Sequence, residues 1–268
     1  VGFEGSIAGY ISLYFAGGLI NQGLPSTLGG DSYRAIAGTH LKPSGKLASS
    51  AAEEKKLDTE LHQEVSLEQA DPTLRLGFVM TFVDRLLGLA GNNLLGGIGL
   101  ILGGATLAVW GNQLGYAVIA VMVTSFLIAA IGLAWGPTRA LLQKLLDRFR
   151  MSSALPGVRM AFAWPMNIAQ AIFGMGIHLL TIFALGFCLK AYGAEVPIEA
   201  LMIGLPALSL LLMLPISISG WGLREATLTS VLALWGISPS LTVLGSISYG
   251  AMTVLCVLPG AYVLLRRK

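Results

Sequence analysis

Charged residues are scarce in this sequence. Only 12% of its 268 residues are Asp, Glu, Lys or Arg, against roughly 25% in soluble domains. This scarcity excludes a soluble enzyme, a disordered chain and a nucleic-acid-binding protein. The net charge of +3 does not change that, because the location of the charges matters more than their sum. The composition predicts an integral membrane protein.

Cysteine and the common catalytic motifs are also nearly absent. The two cysteines, Cys188 and Cys256, lie inside apolar runs, which excludes a disulfide framework and a zinc site. There is no Walker A motif, no G-x-S-x-G and no H-E-x-x-H. We therefore expect a protein without its own ATPase, catalytic residue, cofactor or metal. The chain opens at Val1 without a basic region, so no signal peptide is predicted.

Long apolar runs fill most of the chain. Five stretches contain no charged residue: 5–30, 86–138, 160–189, 200–223 and 226–265. About 20 helical residues cross the hydrocarbon layer, and the runs show no strand-like alternation. Gly96, Gly99 and Gly103 give one run a small-residue face suited to close helix packing. We predict an all-α, polytopic transmembrane bundle of about six or seven segments, forming a single integral membrane domain over 1–268.

Two polar stretches orient this bundle. The loop at 136–160 holds five basic residues and one acidic residue between Arg139 and Arg159, so the positive-inside rule makes it cytoplasmic. The basic C-terminus, Arg266 to Lys268, is expected on the same side. The polar segment 31–75 is assigned to the cytoplasm as well, with a surface helix at Ala51–Gln69. These features predict a multi-pass protein of the cytoplasmic membrane.

One spacing, L-P-x4-G-x3-R, occurs twice. It begins at Leu24 and again at Leu214, each time after an apolar helix. Proline ends a helix, glycines permit a tight bend, and paired breaks in two halves of a transporter mark a substrate site. We predict two broken or re-entrant helices in an internal repeat; the alternative is that both motifs merely end helices. The predicted break residues are Pro25, Gly29, Gly30, Pro215, Gly220 and Gly222.

Four charged residues, Asp84, Arg85, Arg224 and Glu225, lie in apolar surroundings. A charge at bilayer depth costs at least about 2.5–3.5 kcal/mol, so partners are expected. Neighbours on a helix do not face each other, which favours pairing of Arg224 with Asp84, or of Arg85 with Glu225. Asp31 and Arg34 form the equivalent pair near the first break. Arginines gathered near the bundle axis suit a phosphate; the alternative is a purely structural ion-pair network.

Several of these residues stand in motifs of one family. Asn21-Gln22-Gly23-Leu24-Pro25 and Gly29-Gly30-Asp31 with Arg34 precede Asp84-Arg85-Leu86-Leu87-Gly88, and the second half has Ser219-Gly220, Gly222 and Arg224-Glu225 before Leu258-Pro259-Gly260. In these motifs the chain resembles the lysylphosphatidylglycerol synthase transmembrane family, also called flippase-like. One departure is Ser248-Tyr249, which stands where Asp84-Arg85 is expected to recur. No aminoacyl-transfer domain follows, so synthase activity is not implied.

The resemblance implies a lipid translocase. It would move an anionic phospholipid or a polyprenyl-phosphate-linked lipid between the leaflets of the cytoplasmic membrane, using Asp31, Arg34, Asp84, Arg85, Arg224 and Glu225 to bind the headgroup. Two alternatives stay open. One is a membrane-embedded transferase acting on a lipid phosphate, with Asp84 or Glu225 as base. The other is a non-catalytic partner of an envelope enzyme, docking through Ala51–Gln69; a second copy of the chain is a further candidate partner.

Overall fold

A computed structural model describes the parts of the chain on which the fold is based. They are residues 3–4, 6–24, 28–38, 42–43, 72–109, 120, 124, 140, 144, 166–212 and 217–266. Pro25, Pro215, the predicted surface helix Ala51–Gln69 and nearly all of the loop 136–160 lie outside them. The predicted number of spans, the sidedness and the single-domain boundaries therefore stay predictions.

The N-terminal part is a helix followed by a shorter one. Helix α1, Ile7–Gly23, begins where the Ser6 hydroxyl accepts a hydrogen bond from Gly9 N at 3.1 Å, a normal N-cap. It ends at Leu24, whose backbone is extended. Helix α2, Leu28–Gly38, packs back against α1. Two-residue strands, β1 at Phe3–Glu4 and β2 at Lys42–Pro43, form an antiparallel pair.

Helix α3, Pro72–Val109, is the longest element, with 38 residues. At 1.5 Å per residue it measures about 57 Å, well beyond the roughly 30 Å hydrocarbon layer. Asp84 and Arg85 lie within this continuous helix. The predicted small-residue face lies in a close helix contact. A Cβ on Gly99 would lie 2.8 Å from Met202 Cβ, and a Cβ on Gly103 would lie 2.8 Å from Glu199 Cγ. α3 thus packs closely on the helix that carries Glu199 and Met202.

The second half contains another long helix, another short helix and a final pair. These are α4 at Met166–Ala191, α5 at Ile198–Leu211, α6 at Leu223–Leu232, a 3-10 turn at Ala233–Trp235, α7 at Pro239–Val257 and α8 at Pro259–Arg266. Within the described residues, Ile168–Ala191 and the combined stretch Pro239–Arg266 are long and apolar enough to cross a membrane. The described part of the chain confirms the all-α membrane fold.

Helices of both halves build one packed body. α3 contacts α2, α4 and α5; α6 lies between α5 and α7; and α1 contacts α2, α7 and α8. A buried cluster centred on Leu95, Leu185, Leu205 and Leu228 joins α3, α4, α5 and α6. In each half, a short helix that follows a break therefore lies between the helix before it and a later long helix.

Candidate functional site

Five side chains from α1, α2 and α3 form what we call the first cluster. Arg34 and Asp31 are paired at 2.5 Å, and Arg85 contacts both oxygens of the same Asp31, at 2.7 and 2.8 Å. Arg34 Nη1 also lies 3.5 Å from Asp84 Oδ2, which accepts a hydrogen bond of 2.8 Å from the Tyr14 hydroxyl. The Arg34 guanidinium stacks over the Tyr14 ring at 4.6 Å. The predicted pairing of Asp31 with Arg34 is confirmed.

The first cluster is accessible mainly through its α3 residues. The side chains of Asp31 and Arg34 are 15% and 13% exposed, whereas those of Arg85 and Asp84 are 36% and 54% exposed. The two arginines and two aspartates balance in charge. The arrangement is therefore a neutral network whose α3 members remain open to a ligand.

A close helix contact positions Asp31 and Arg34. A Cβ on Gly30 would overlap the backbone oxygen of Gly17, and a Cβ on Gly17 would lie 2.9 Å from Arg34 Cγ. The Asn21 side chain accepts a hydrogen bond of 2.7 Å from Gly30 N. These contacts hold the start of α2 against α1, so its acid and arginine project towards α3.

The second cluster lies on α6 and α7. The Glu225 carboxylate accepts hydrogen bonds from Gly222 N at 2.6 Å, from Arg224 Nε at 3.1 Å and from the Ser246 hydroxyl at 2.9 Å. Arg224 Nε also lies 3.2 Å from the same hydroxyl. The acid caps the free amides at the start of α6, the place where a helix favours an anion. A carboxylate of the protein itself therefore occupies that anion position.

Arg224 is enclosed by aromatic rings and backbone. Its guanidinium lies 4.7 Å from the Trp221 ring centre and 5.8 Å from that of Tyr249. A Cβ on Gly250 would overlap the guanidinium, and the Arg224 side chain is only 7% exposed. Its Nη2 atom is buried without a hydrogen-bond partner. Tyr249, from the pair that replaces the expected Asp-Arg, thus contributes a ring where the first cluster has charges.

The predicted cross-half pairing of charges is wrong. Arg224 pairs with its neighbour Glu225, and Arg85 pairs with Asp31. The pairing of adjacent residues is explained by the helix cap, because Glu225 folds back towards Gly222 and passes the Arg224 side chain. The six predicted site residues consequently form two separate sets, each neutral.

The predicted role of glycine in the breaks is correct for only one of them. Gly220 and Gly222 have φ angles of +79°, a region that glycine enters readily. Ser219 precedes them with φ +52°. Gly29 and Gly30, in contrast, lie inside α2 and serve close packing rather than a bend. Helical structure already begins at Leu28, which leaves no turn for these two glycines to make.

Asn21 and Gln22, whose motif alone predicted no contact for them, connect the two breaks. Asn21 binds Gly30 at the start of α2, as described above, and the next residue, Gln22, accepts a hydrogen bond of 2.7 Å from Ser219. The last turn of α1 therefore contacts both breaks. Their appearance side by side in the sequence, as polar residues just before a proline, was the available signal.

Sequence reasoning also missed a buried polar pair in α3. Asn92 is 0% and Asn93 6% exposed, and both side-chain oxygens lack a hydrogen-bond partner. One turn earlier, the Gly88 carbonyl lies 3.1 Å from His178 Nε2, which gives that histidine a structural contact between α3 and α4. Among the described residues, no group of three His, Cys, Asp or Glu side chains could hold a metal ion.

Comparison with known protein families agrees with the motifs. Residues 1–260 match the family described as the lysylphosphatidylglycerol synthase TM region. The chain belongs to this family. Neither the curated proteins nor the solved structures yielded a match. As a member of this family, the chain is a membrane protein of the lipid-metabolism or flippase type.

Proposed function

We propose that the protein is a lipid translocase that moves an anionic phospholipid or a polyprenyl-phosphate-linked lipid between the leaflets of the cytoplasmic membrane. The headgroup binds at the first cluster. Family membership supports the lipid part of this proposal. The observation that carries the site is the exposure of Asp84 and Arg85, at 54% and 36%, three to four residues before the apolar stretch Gly88–Gly103 of α3.

Charge in this position needs a polar environment. Insertion of one such residue into the bilayer costs at least about 2.5–3.5 kcal/mol, and irregular backbone at that depth is tolerated where it lines a cavity. The extended backbone of Leu24, which lies against Gly29 at the start of α2, is backbone of this kind. The proposed site therefore requires a water-filled space next to the first break that is large enough for a headgroup.

Binding proceeds by exchange of partners. Arg85 now contacts both oxygens of Asp31, and a phosphate presents the same pair of acceptors to a guanidinium. A headgroup phosphate can take the place of Asp31 on Arg85, while Asp31 keeps its contact with Arg34. Asp84, more exposed than the arginines, is placed to accept a hydroxyl or a cationic group of the same headgroup.

The second cluster has a different role in this mechanism. Glu225 fills the anion position at the start of α6, and Arg224 is almost fully buried. In the proposed mechanism, this pair holds α6 against α7. The Nη2 atom of Arg224 has no hydrogen-bond partner but is buried, so the predicted phosphate contact of this arginine ranks second to that of Arg85.

Translocation in proteoliposomes tests the proposal. A headgroup-labelled anionic lipid and an impermeant quencher report movement between leaflets, for wild type, Arg85→Ala and Arg224→Ala at equal amounts of folded protein. We expect Arg85→Ala to slow translocation at least tenfold, about 1.4 kcal/mol. Arg266→Ala is the matched control, because Arg266 stacks on Tyr262 at the far end of α8, and its removal leaves the rate unchanged.

Two outcomes contradict the proposal. Equal rates for wild type and Arg85→Ala would remove the first cluster from the headgroup site. Recovery of the label on a chemically altered lipid, with no movement between leaflets, would replace the translocase with a transferase.

A further inference from the structure

A cleft lies outside both clusters, where α4 and α5 meet. Its volume is ≈550 Å3 and its walls include Ile182, Phe183 and Phe187 of α4 and Leu201 of α5. Phe183 and Phe187 are 45% and 70% exposed, so the cleft opens sideways, on the surface of a helix that is long and apolar enough to span a membrane. An apolar chain entering from the lipid fits this shape.

Glycine gives the cleft its depth. Gly186 lies in its wall, between the two phenylalanines in the sequence, and a Cβ there would lie 3.2 Å from Leu201 Cδ1. Any larger side chain at this position fills the space between α4 and α5. Gly176, on the same helix, is exposed and would place its Cβ in open space.

The polar end of the cleft carries one charge of each sign. Lys190 lies in the last turn of α4 and Glu195 in the loop that follows. Both are exposed, and within the described part of the chain neither forms an ion pair. The two side chains place a cation and an anion at the polar end of an apolar cleft. This pair of charges complements a headgroup that carries one phosphate and one ammonium.

We propose that this cleft binds a zwitterionic phospholipid, with an acyl chain along Phe183 and Phe187, the phosphate at Lys190 and the ammonium at Glu195. The site is separate from the first cluster, and the proposal does not depend on translocation. A net-neutral headgroup distinguishes it from the anionic lipid assigned to the first cluster. A phospholipid without an amine meets Lys190 but leaves Glu195 without a partner.

Native mass spectrometry of the purified protein in detergent tests the site. Dioleoyl-phosphatidylethanolamine and dioleoyl-phosphatidylglycerol compete for retention, for wild type and four variants. We expect wild type to prefer the ethanolamine lipid about two- to fivefold, the range of an exposed ion pair. Glu195→Gln should abolish the preference but keep binding, and Lys190→Gln should weaken the retention of both lipids.

Filling the cleft is the second arm of the test. Gly186→Leu should lose one retained lipid of either kind, whereas the matched control Gly176→Leu should behave as wild type. Equal retention by Gly186→Leu, or an unchanged preference in Glu195→Gln, overturns the proposal, as does a wild type that retains neither lipid. Glu195 is exposed, so its variant gives a result even if Gly186→Leu fails to fold.

Discussion

The two breaks share a sequence spacing and differ in what that spacing does. At the first, Gly30 lies inside a helix and allows it to touch α1; at the second, Gly220 takes a left-handed conformation and makes the turn itself. The arginine of the motif, Arg34, belongs to a network with two accessible charges, whereas Arg224 is buried with a single acid. The same motif thus belongs to a partly exposed charge network in one half and to a buried ion pair in the other.

This difference in exposure and charge follows from the helix that each arginine contacts. Arg34 faces Asp84, a charged residue on the long helix α3. Arg224 faces Ser246 and Tyr249 on α7, which add no charge, so Glu225 alone must balance it. A repeated sequence motif can therefore be kept while the chemistry of one copy changes through the helix it meets.

The largest effect is expected from Glu225→Ala. Removing the acid leaves Arg224 buried and unpaired and leaves Gly222 N without its cap. Breaking a buried ion pair in this way costs about 3–5 kcal/mol, measurable as a loss of unfolding free energy in mixed micelles. Asp84→Ala is the counterpart in the first cluster, and it should cost less than about 1 kcal/mol, because Asp84 is exposed. Equal losses would show that the two clusters do not differ as described.

The glycines give the next largest effect. Gly30→Ala should cost about 1–3 kcal/mol of unfolding free energy, because its Cβ would meet a backbone oxygen that cannot rotate away. Gly222→Ala should cost about 1–3 kcal/mol, because φ +79° with ψ −52° is a strained backbone conformation for a residue with a Cβ.

Asparagine substitutions distinguish a side-chain clash, the expected cause at Gly30, from backbone strain, the expected cause at Gly222. A Cβ on Gly222 would meet nothing within 4 Å, so only its backbone is strained and Gly222→Asn should cost about as much as Gly222→Ala. Gly30 lies in a close helix contact, so Gly30→Asn should be worse than Gly30→Ala. Gly176→Ala, at an exposed helical position with open space around it, is the neutral control. The same order of Ala and Asn at both positions would contradict the assigned roles.

The smallest effect concerns the contact between the end of α1 and the second break. Gln22→Ala removes the hydrogen bond with Ser219 and should cost about 0.5–1.5 kcal/mol. A double-mutant cycle with Ser219→Ala isolates the pair. A coupling energy of zero would mean that the two side chains contribute to stability independently.

The sequence correctly predicted the helical membrane fold, and it correctly predicted that the charged residues in apolar runs have ion-pair partners. An ionised group in an apolar run is energetically costly and needs a partner. This cost made four residues recognisable: Asp84, Arg85, Arg224 and Glu225. The small-residue face of α3 was recognisable for a similar reason, since Gly99 and Gly103 recur one turn apart.

The ion-pair partner of each arginine and the backbone conformation of each glycine could not be predicted from the sequence. Which carboxylate meets Arg224 depends on the cap that folds Glu225 back, a detail of one helix start. Whether a glycine after a proline bends the chain or packs it depends on how soon the next helix begins. For Gly30 the deciding contact is the backbone of Gly17, thirteen positions away, which local spacing does not reveal.

The last turn of α1 sets how the two halves can move. Asn21 holds the start of α2 and Gln22 holds Ser219, so consecutive residues of one helix end fasten two different segments. A displacement that pulls these segments apart must break one of the two hydrogen bonds. A movement that keeps both hydrogen bonds must carry the end of α1 along with the two segments.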